Sequence, residues 1–192
     1  MNALRRIFAI LADPATEWAA IGKEPADAAY LLTRYVAPLA LIPALFGLIG
    51  ACVVGAVVPG AGLVRSPPAA GLLGAVFAYI MSCATVVCLG ALIWLSAPSF
   101  GGQRDFNTAL KLAAYSYTPV WLAGVFLLAP GLRFLELTGF YGAYILWIGA
   151  SPLTKVPAEK VPMFTALLVA GACVLIFISS TLQHTLFGGM GR

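Results

Sequence analysis

Glu136, three residues after Arg133, is the one acid that falls inside a long apolar stretch of this sequence. A carboxylate in hydrocarbon is costly, which makes such a residue a candidate for proton or ion handling. Arg133 shares its helical face at the i, i+3 spacing, near the end of the stretch. An interfacial ion pair is therefore the favoured reading and a proton or substrate role the second. Tyr115, Pro119, Tyr141 and Tyr144 fall in the same or the neighbouring stretch. A phenol in hydrocarbon needs a hydrogen-bond partner. These residues either tie helices together, the favoured reading, or line a small polar cavity with Glu136.

Other reactive side chains point to no chemistry. His184 stands alone, and a metal site needs three or four convergent ligands. Cys52, Cys83, Cys88 and Cys173 all lie in apolar runs without a C-x-x-C pair, which fits small side chains packed between helices. Gly149-Ala150-Ser151-Pro152 has the look of a serine-nucleophile turn, but the only histidine belongs to the opposite membrane face, so no base can reach it. No catalytic, cofactor or metal residue is expected, and an enzyme is the least favoured class.

The elements that must position these residues follow from composition. The chain has 192 residues, 61% of them hydrophobic and 9% charged; soluble domains average roughly 45–50% and about 25%. A helix crosses hydrocarbon in about 20 apolar residues, and five stretches qualify: 36–58, 71–97, 112–129, 134–150 and 162–182. Glycine and proline fill the breaks, at Pro59-Gly60, Pro67-Pro68, Gly101-Gly102, Pro130-Gly131 and Ser151-Pro152. Pro38, Pro43 and Pro119 should kink their helices. Small residues four apart, at Gly47, Ala51 and Gly55 and at Gly74, Ala78 and Ser82, allow close helix packing.

Charge sets the orientation. Arg5, Arg6, Lys23, Arg34, Arg104, Lys111, Lys155 and Lys160 fall on one side, against Arg65, Arg133 and Arg192 on the other. Eight against three places the N-terminus in the cytoplasm and, after five spans, the C-terminus outside. The net charge of +4 is spread between apolar runs rather than gathered in a patch, so nucleic acid is not an expected partner. Trp94, Trp147 and Tyr35 are expected at the cytoplasmic headgroup level, and Trp121 in the middle of its span.

Before the first span, Leu4, Ile7, Phe8 and Leu11 form an apolar helical face. Asp13 reads as an N-cap with Pro14 at the first helical position, followed by Trp18 and Ile21 on the next apolar face. Both pieces are too short to span. They are expected either on the inner leaflet or packed under the bundle.

Several blocks together resemble the Yip (Ypt-interacting protein) family. They are Asp13-Pro14 with Trp18 and Ile21; Tyr35-Val36-Ala37-Pro38-Leu39-Ala40-Leu41-Ile42-Pro43; Gly101-Gly102-Gln103-Arg104-Asp105-Phe106 running to Ala109-Leu110-Lys111, Ala114-Tyr115 and Pro119; and Gly139-Phe140-Tyr141-Gly142 with Tyr144 and Gly149. The resemblance runs from about Leu11 to Leu182. It implies five spans with a cytoplasmic N-terminus, and eukaryotic members bind Rab-type GTPases and form oligomers. The segment before the first span is short here, as in the bacterial members, so GTPase binding is not expected to carry over.

The expectation is an all-α integral membrane protein of a bacterial inner membrane, a five-span bundle with N-terminal interfacial amphipathic helices. Residues 1–30 form the cytoplasmic segment, 31–187 the membrane domain and 188–192 a short external tail. A non-enzymatic role organising the bilayer or protein partners leads, with Trp18, Arg104 and Lys155 as the contact surface. The partners are lipid and a second copy or another membrane protein. A small-solute flux pathway lined by Tyr115, Pro119, Glu136, Tyr141 and Tyr144 is the alternative.

Overall fold

A computed structural model describes residues 3–25, 27–58 and 62–187. Helix α1 (Ala3–Ala12) and helix α2 (Pro14–Ile21) meet at Asp13, whose carboxylate accepts the Thr16 N–H at 3.2 Å. Pro14 fills the first helical position, where its missing N–H costs nothing. Bonding to Thr16 holds the Asp13 carboxyl below its usual range. This is the cap expected from the sequence.

Asp27 caps α3 (Ala28–Leu31) in the same way, accepting the Ala29 N–H at 3.0 Å. The helix runs through a π turn, Leu32–Val36, into α4 (Ala37–Ile49) and a second π turn, Gly50–Val54. The first π turn lies just before Pro38, whose ring would press on the carbonyl four residues back in a regular helix; the wider turn relieves this. Gly55, at φ +79°, ends the segment, and a Cβ there would stand 2.7 Å from the Val64 carbonyl oxygen. A short hairpin follows, β1 (Ala56–Val58) antiparallel to β2 (Gly62–Val64), with Val57 opposite Leu63. The fold is thus helical with one small hairpin, and the last residues of the expected first span are strand. The expected turn at Pro59-Gly60 lies outside the described residues, as does the expected tail 188–192.

Helix α5 (Pro68–Ser96) starts on a proline and runs 29 residues into a 3₁₀ turn, Ala97–Phe100. Asp105 then caps α6 (Phe106–Ser116), accepting the Asn107 N–H at 3.1 Å. After α7 (Thr118–Ala123) come two 3₁₀ stretches, Gly124–Leu128 and Pro130–Phe140. Helix α8 (Tyr141–Thr154) and helix α9 (Val161–Phe187) complete the chain, joined through a 3₁₀ turn at Ala158–Lys160. Lys155 adopts a left-handed φ of 60° just after α8, and Pro152 is inside that helix rather than beyond it.

Among the described residues, three helical segments are long and apolar enough to cross a membrane: Ala28–Val54, Pro68–Phe100 and Ala158–Phe187. The stretches expected as third and fourth spans are built in pieces. Pro119 cannot donate to Tyr115, and the helix resets at Tyr117, whose carbonyl accepts the Val120 N–H at 3.1 Å. The Pro130–Phe140 stretch winds as 3₁₀ helix for 11 residues, an unusual length for that geometry.

Helix α5 packs against α4, α6 and α9, while α6 lies on α8. Val86, Leu89 and Ile93 of α5 meet Leu110 and Ala113 of α6 in a core that takes in Ile145, Phe164 and Leu168. At the crossing, a Cβ on Gly90 would stand 3.3 Å from the Leu110 Cα. Such close approach is what holds helices together where both sides are apolar. Trp121 is fully buried and donates its indole N–H to the Ser82 hydroxyl at 2.8 Å. Cys52 and Cys83 are half-buried, but Cys88 and Cys173 face outward rather than between helices.

Candidate functional site

Polar side chains in a chain this apolar must be held together, and they gather where α1 and α2 meet the bundle. Arg6 of α1 is only 4% exposed. Its guanidinium pairs with Glu17 of α2 and with Glu24 just beyond. These are the ion pairs among the described residues. Two buried charges need such pairing, since each alone would bear the full cost of leaving water.

Lys111 of α6 completes the cluster. Its ammonium donates to the Ile21 carbonyl at 3.2 Å and to the Glu24 carbonyl. It thereby caps the C-terminal end of α2, where the helix dipole favours a cation. Two cations and two carboxylates thus balance beside the middle of α6.

Rings extend the cluster inward. The Arg6 guanidinium lies 5.7 Å from the centre of the Tyr115 ring. Tyr115 stands edge-on to Trp18 at 6.1 Å and to Tyr35 at 4.7 Å. The Tyr35 hydroxyl shares a hydrogen bond with Thr118 at 2.8 Å. Trp18 donates its indole N–H to the Ile145 carbonyl at 3.0 Å and is fully buried. Gly149, one turn on, makes room for it, because any Cβ there would collide with the indole.

Two expectations are corrected here. Trp18 is not a contact surface, because its large apolar ring fills a slot in α8 and its N–H finds a carbonyl there. Tyr35 is core rather than headgroup belt, since its hydroxyl is paired inside the bundle. Trp147 is exposed, and Trp94 carries the Arg104 guanidinium over its face at 4.3 Å. Arg104 and Lys155 are exposed. Their loops are joined, since the Gln103 N–H donates to the Thr154 carbonyl at 2.7 Å.

The residues expected to line a flux pathway do not converge. Tyr115 belongs to the ring cluster, and Pro119 is buried at the helix break. Tyr141 and Tyr144 are outward-facing and stacked at 5.5 Å, with the Tyr141 hydroxyl donating to the Leu11 carbonyl at 3.0 Å. Glu136 is exposed and makes no ion pair with Arg133. The 3₁₀ winding of Pro130–Phe140 eclipses residues three apart, so Arg133 and Glu136 share a face, but both side chains are exposed and do not close to an ion pair. A cleft of about 370 Å³ touches Pro119 and Tyr141 but not Tyr115, Glu136 or Tyr144. His184 lies in α9, its side chain outside what is described. Among the described residues, no group of three His, Cys, Asp or Glu side chains could hold a metal.

The Arg6–Glu17–Glu24–Lys111 cluster is the part sequence reasoning missed. A count of lysines and arginines sets orientation and passes over acids. Glu17 and Glu24, seven apart and at the spacing of two turns along one helical face, were the available signal.

The Yip1 domain family model matches residues 8–180. Inner membrane protein YohC of Escherichia coli K12 is 23% identical over 189 residues, covering 96% of this chain and 97% of that one. The protein of the same name in E. coli O6:H1 matches equally. No solved structure matches.

Proposed function

The chain belongs to the Yip1 domain family, and from that premise we propose that it is a non-enzymatic, five-span protein of the bacterial inner membrane that organises membrane-protein partners or copies of itself. The name of the E. coli relative supports the location. Reach supports the spans. An α-helix rises about 1.5 Å per residue and a 3₁₀ helix about 2 Å. The segments from Phe106 to Leu128 and from Pro130 to Thr154 then each extend roughly 35–45 Å. That exceeds the roughly 30 Å of hydrocarbon to be crossed. The eight-to-three distribution of lysine and arginine supports a cytoplasmic N-terminus and an external C-terminus.

The observation that carries the organising role is the half-docked state of α1. Arg6 and Ile10 are buried, yet Leu4 and Phe8 are each 71% exposed on the same helix. Leu4 and Phe8 offer an apolar ridge, and Arg104 and Lys155 offer exposed charge on loops joined to each other. The test is co-purification or cross-linking of the full chain, comparing Leu4→Ser/Phe8→Ser with wild type. Loss of the partner or oligomer is expected, and unchanged assembly would refute the role. Deleting residues 1–25 is the poorer test, because it removes Ile10, Trp18 and Ile21 from the core.

A further inference from the structure

Between α1 and α4 lies a second cleft, also of about 370 Å³, within the roughly 300–1,000 Å³ of small-molecule sites. Phe8 and Leu11 form one wall, Pro38 and Ile42 the other, and Leu122 closes the floor. Tyr35 presents only its ring, since its hydroxyl is bonded to Thr118. Arg34 is the one charged residue of the lining. It is exposed and takes part in neither ion pair of the described residues. It stands at the N-terminal mouth, and Ile42 lies ~12 Å further along the helix axis.

We propose that this cleft binds an anionic phospholipid, with an acyl chain along the apolar trough and the phosphate on the Arg34 guanidinium. The lining has no other polar group to orient a polar solute, and the cleft opens beside the exposed apolar face of α1. A guanidinium at the end of a membrane helix reaches for the headgroup level, where a phosphate matches its fork of N–H donors. A headgroup with its own cation would bring a second positive charge toward Arg34, so the preference is for net negative lipid. The π turn Leu32–Val36 sets Arg34 and Tyr35 at the mouth, and such turns recur at functional sites. The cleft shares Leu4 and Phe8 with the ridge above, so the variants that test it, Arg34→Gln and Ile42→Trp, leave that ridge intact; orientation decides only which leaflet supplies the lipid.

The test titrates the detergent-purified full chain with phosphatidylglycerol and with phosphatidylcholine, reading retained lipid by native mass spectrometry. Phosphatidylglycerol should be retained about tenfold better, the worth of one charge-assisted contact. Arg34→Gln should reduce it to the phosphatidylcholine level with the melting temperature unchanged, because Arg34 makes no ion pair in the fold. Ile42→Trp, which fills the trough, should lower retention of both lipids. Equal retention of the two lipids by wild type, or undiminished phosphatidylglycerol on Arg34→Gln, overturns the proposal. Complete displacement by millimolar inorganic phosphate also overturns it, since that outcome describes a bare anion site.

Discussion

Arg6 and Glu17, eleven residues apart on two different helices, face each other in the interior with side chains 5% and 12% exposed. Around this pair the N-terminal helices are fastened to the bundle. A buried ion pair contributes little net stability against a well-packed apolar one, but it is costly to break from one side. It therefore selects one seating of α1 on α2.

Arg6→Ala should destabilise the protein by ~3–5 kcal/mol, because Glu17 is left buried and unpaired. Arg6→Met with Glu17→Leu should recover most of that loss. Glu24, which is exposed, should tolerate Gln at a cost of ~0–1 kcal/mol. Unfolding in detergent, followed by tryptophan fluorescence, ranks the three. A loss in the double variant as large as in Arg6→Ala would exclude the unpaired-charge explanation.

Gly149→Ala should push the Trp18 indole from its slot at a cost of ~1–3 kcal/mol, the usual penalty for overpacking. The indole emission should shift to the red as the ring leaves the core. An unshifted spectrum would show that α8 yields instead.

Tyr141→Phe removes the hydroxyl that donates to the Leu11 carbonyl. Stability should fall by about 1 kcal/mol, the net worth of one such hydrogen bond. Solute flux in proteoliposomes should not change. A flux that falls in Tyr141→Phe and in Glu136→Gln would restore the transport reading.

Acid should weaken the start of α2. The Asp13 carboxyl is held below its ordinary value in the fold. Its contribution is therefore present above about pH 4, the unfolded value, and is lost as pH falls through the folded one. Asp13→Asn, which still caps without a charge, should flatten stability against pH in that acid window. A slope identical to wild type would assign the effect to other carboxylates.

Membrane orientation has its own readout. Single cysteines replacing Arg65 and Arg133 should label from outside intact cells, and those replacing Arg104 and Lys155 only after permeabilisation. Labelling of Arg133→Cys from the inside would mean that the pieces from Phe106 to Thr154 do not cross.

What the sequence disclosed and what it concealed have physical causes. The aspartate cap at Asp13, the helical faces holding Trp18 and Ile21, and the long apolar helices are local patterns, readable within a turn or two. Other features were not local. The seat of Trp18 depends on a glycine in α8, and a glycine in an apolar run gives no hint of which ring it admits. The 3₁₀ winding of Pro130–Phe140 uses the same residue types as an α-helix and also keeps Arg133 and Glu136 on one face, so the spacing could not tell that the two exposed side chains stay unpaired. Tyr35 looked like a headgroup anchor because its partner, Thr118, is 83 residues away.

The bond from Trp18 to Ile145 spans 127 residues of chain. At roughly 5–20 residues per second, synthesis takes roughly 6–25 s to deliver that acceptor after the indole has been made. Until then α2 has no slot to enter, although Arg6 already has both Glu17 and Glu24 within the chain made so far. The head of this protein is made first, yet the slot that seats it is complete only once α8 has been made.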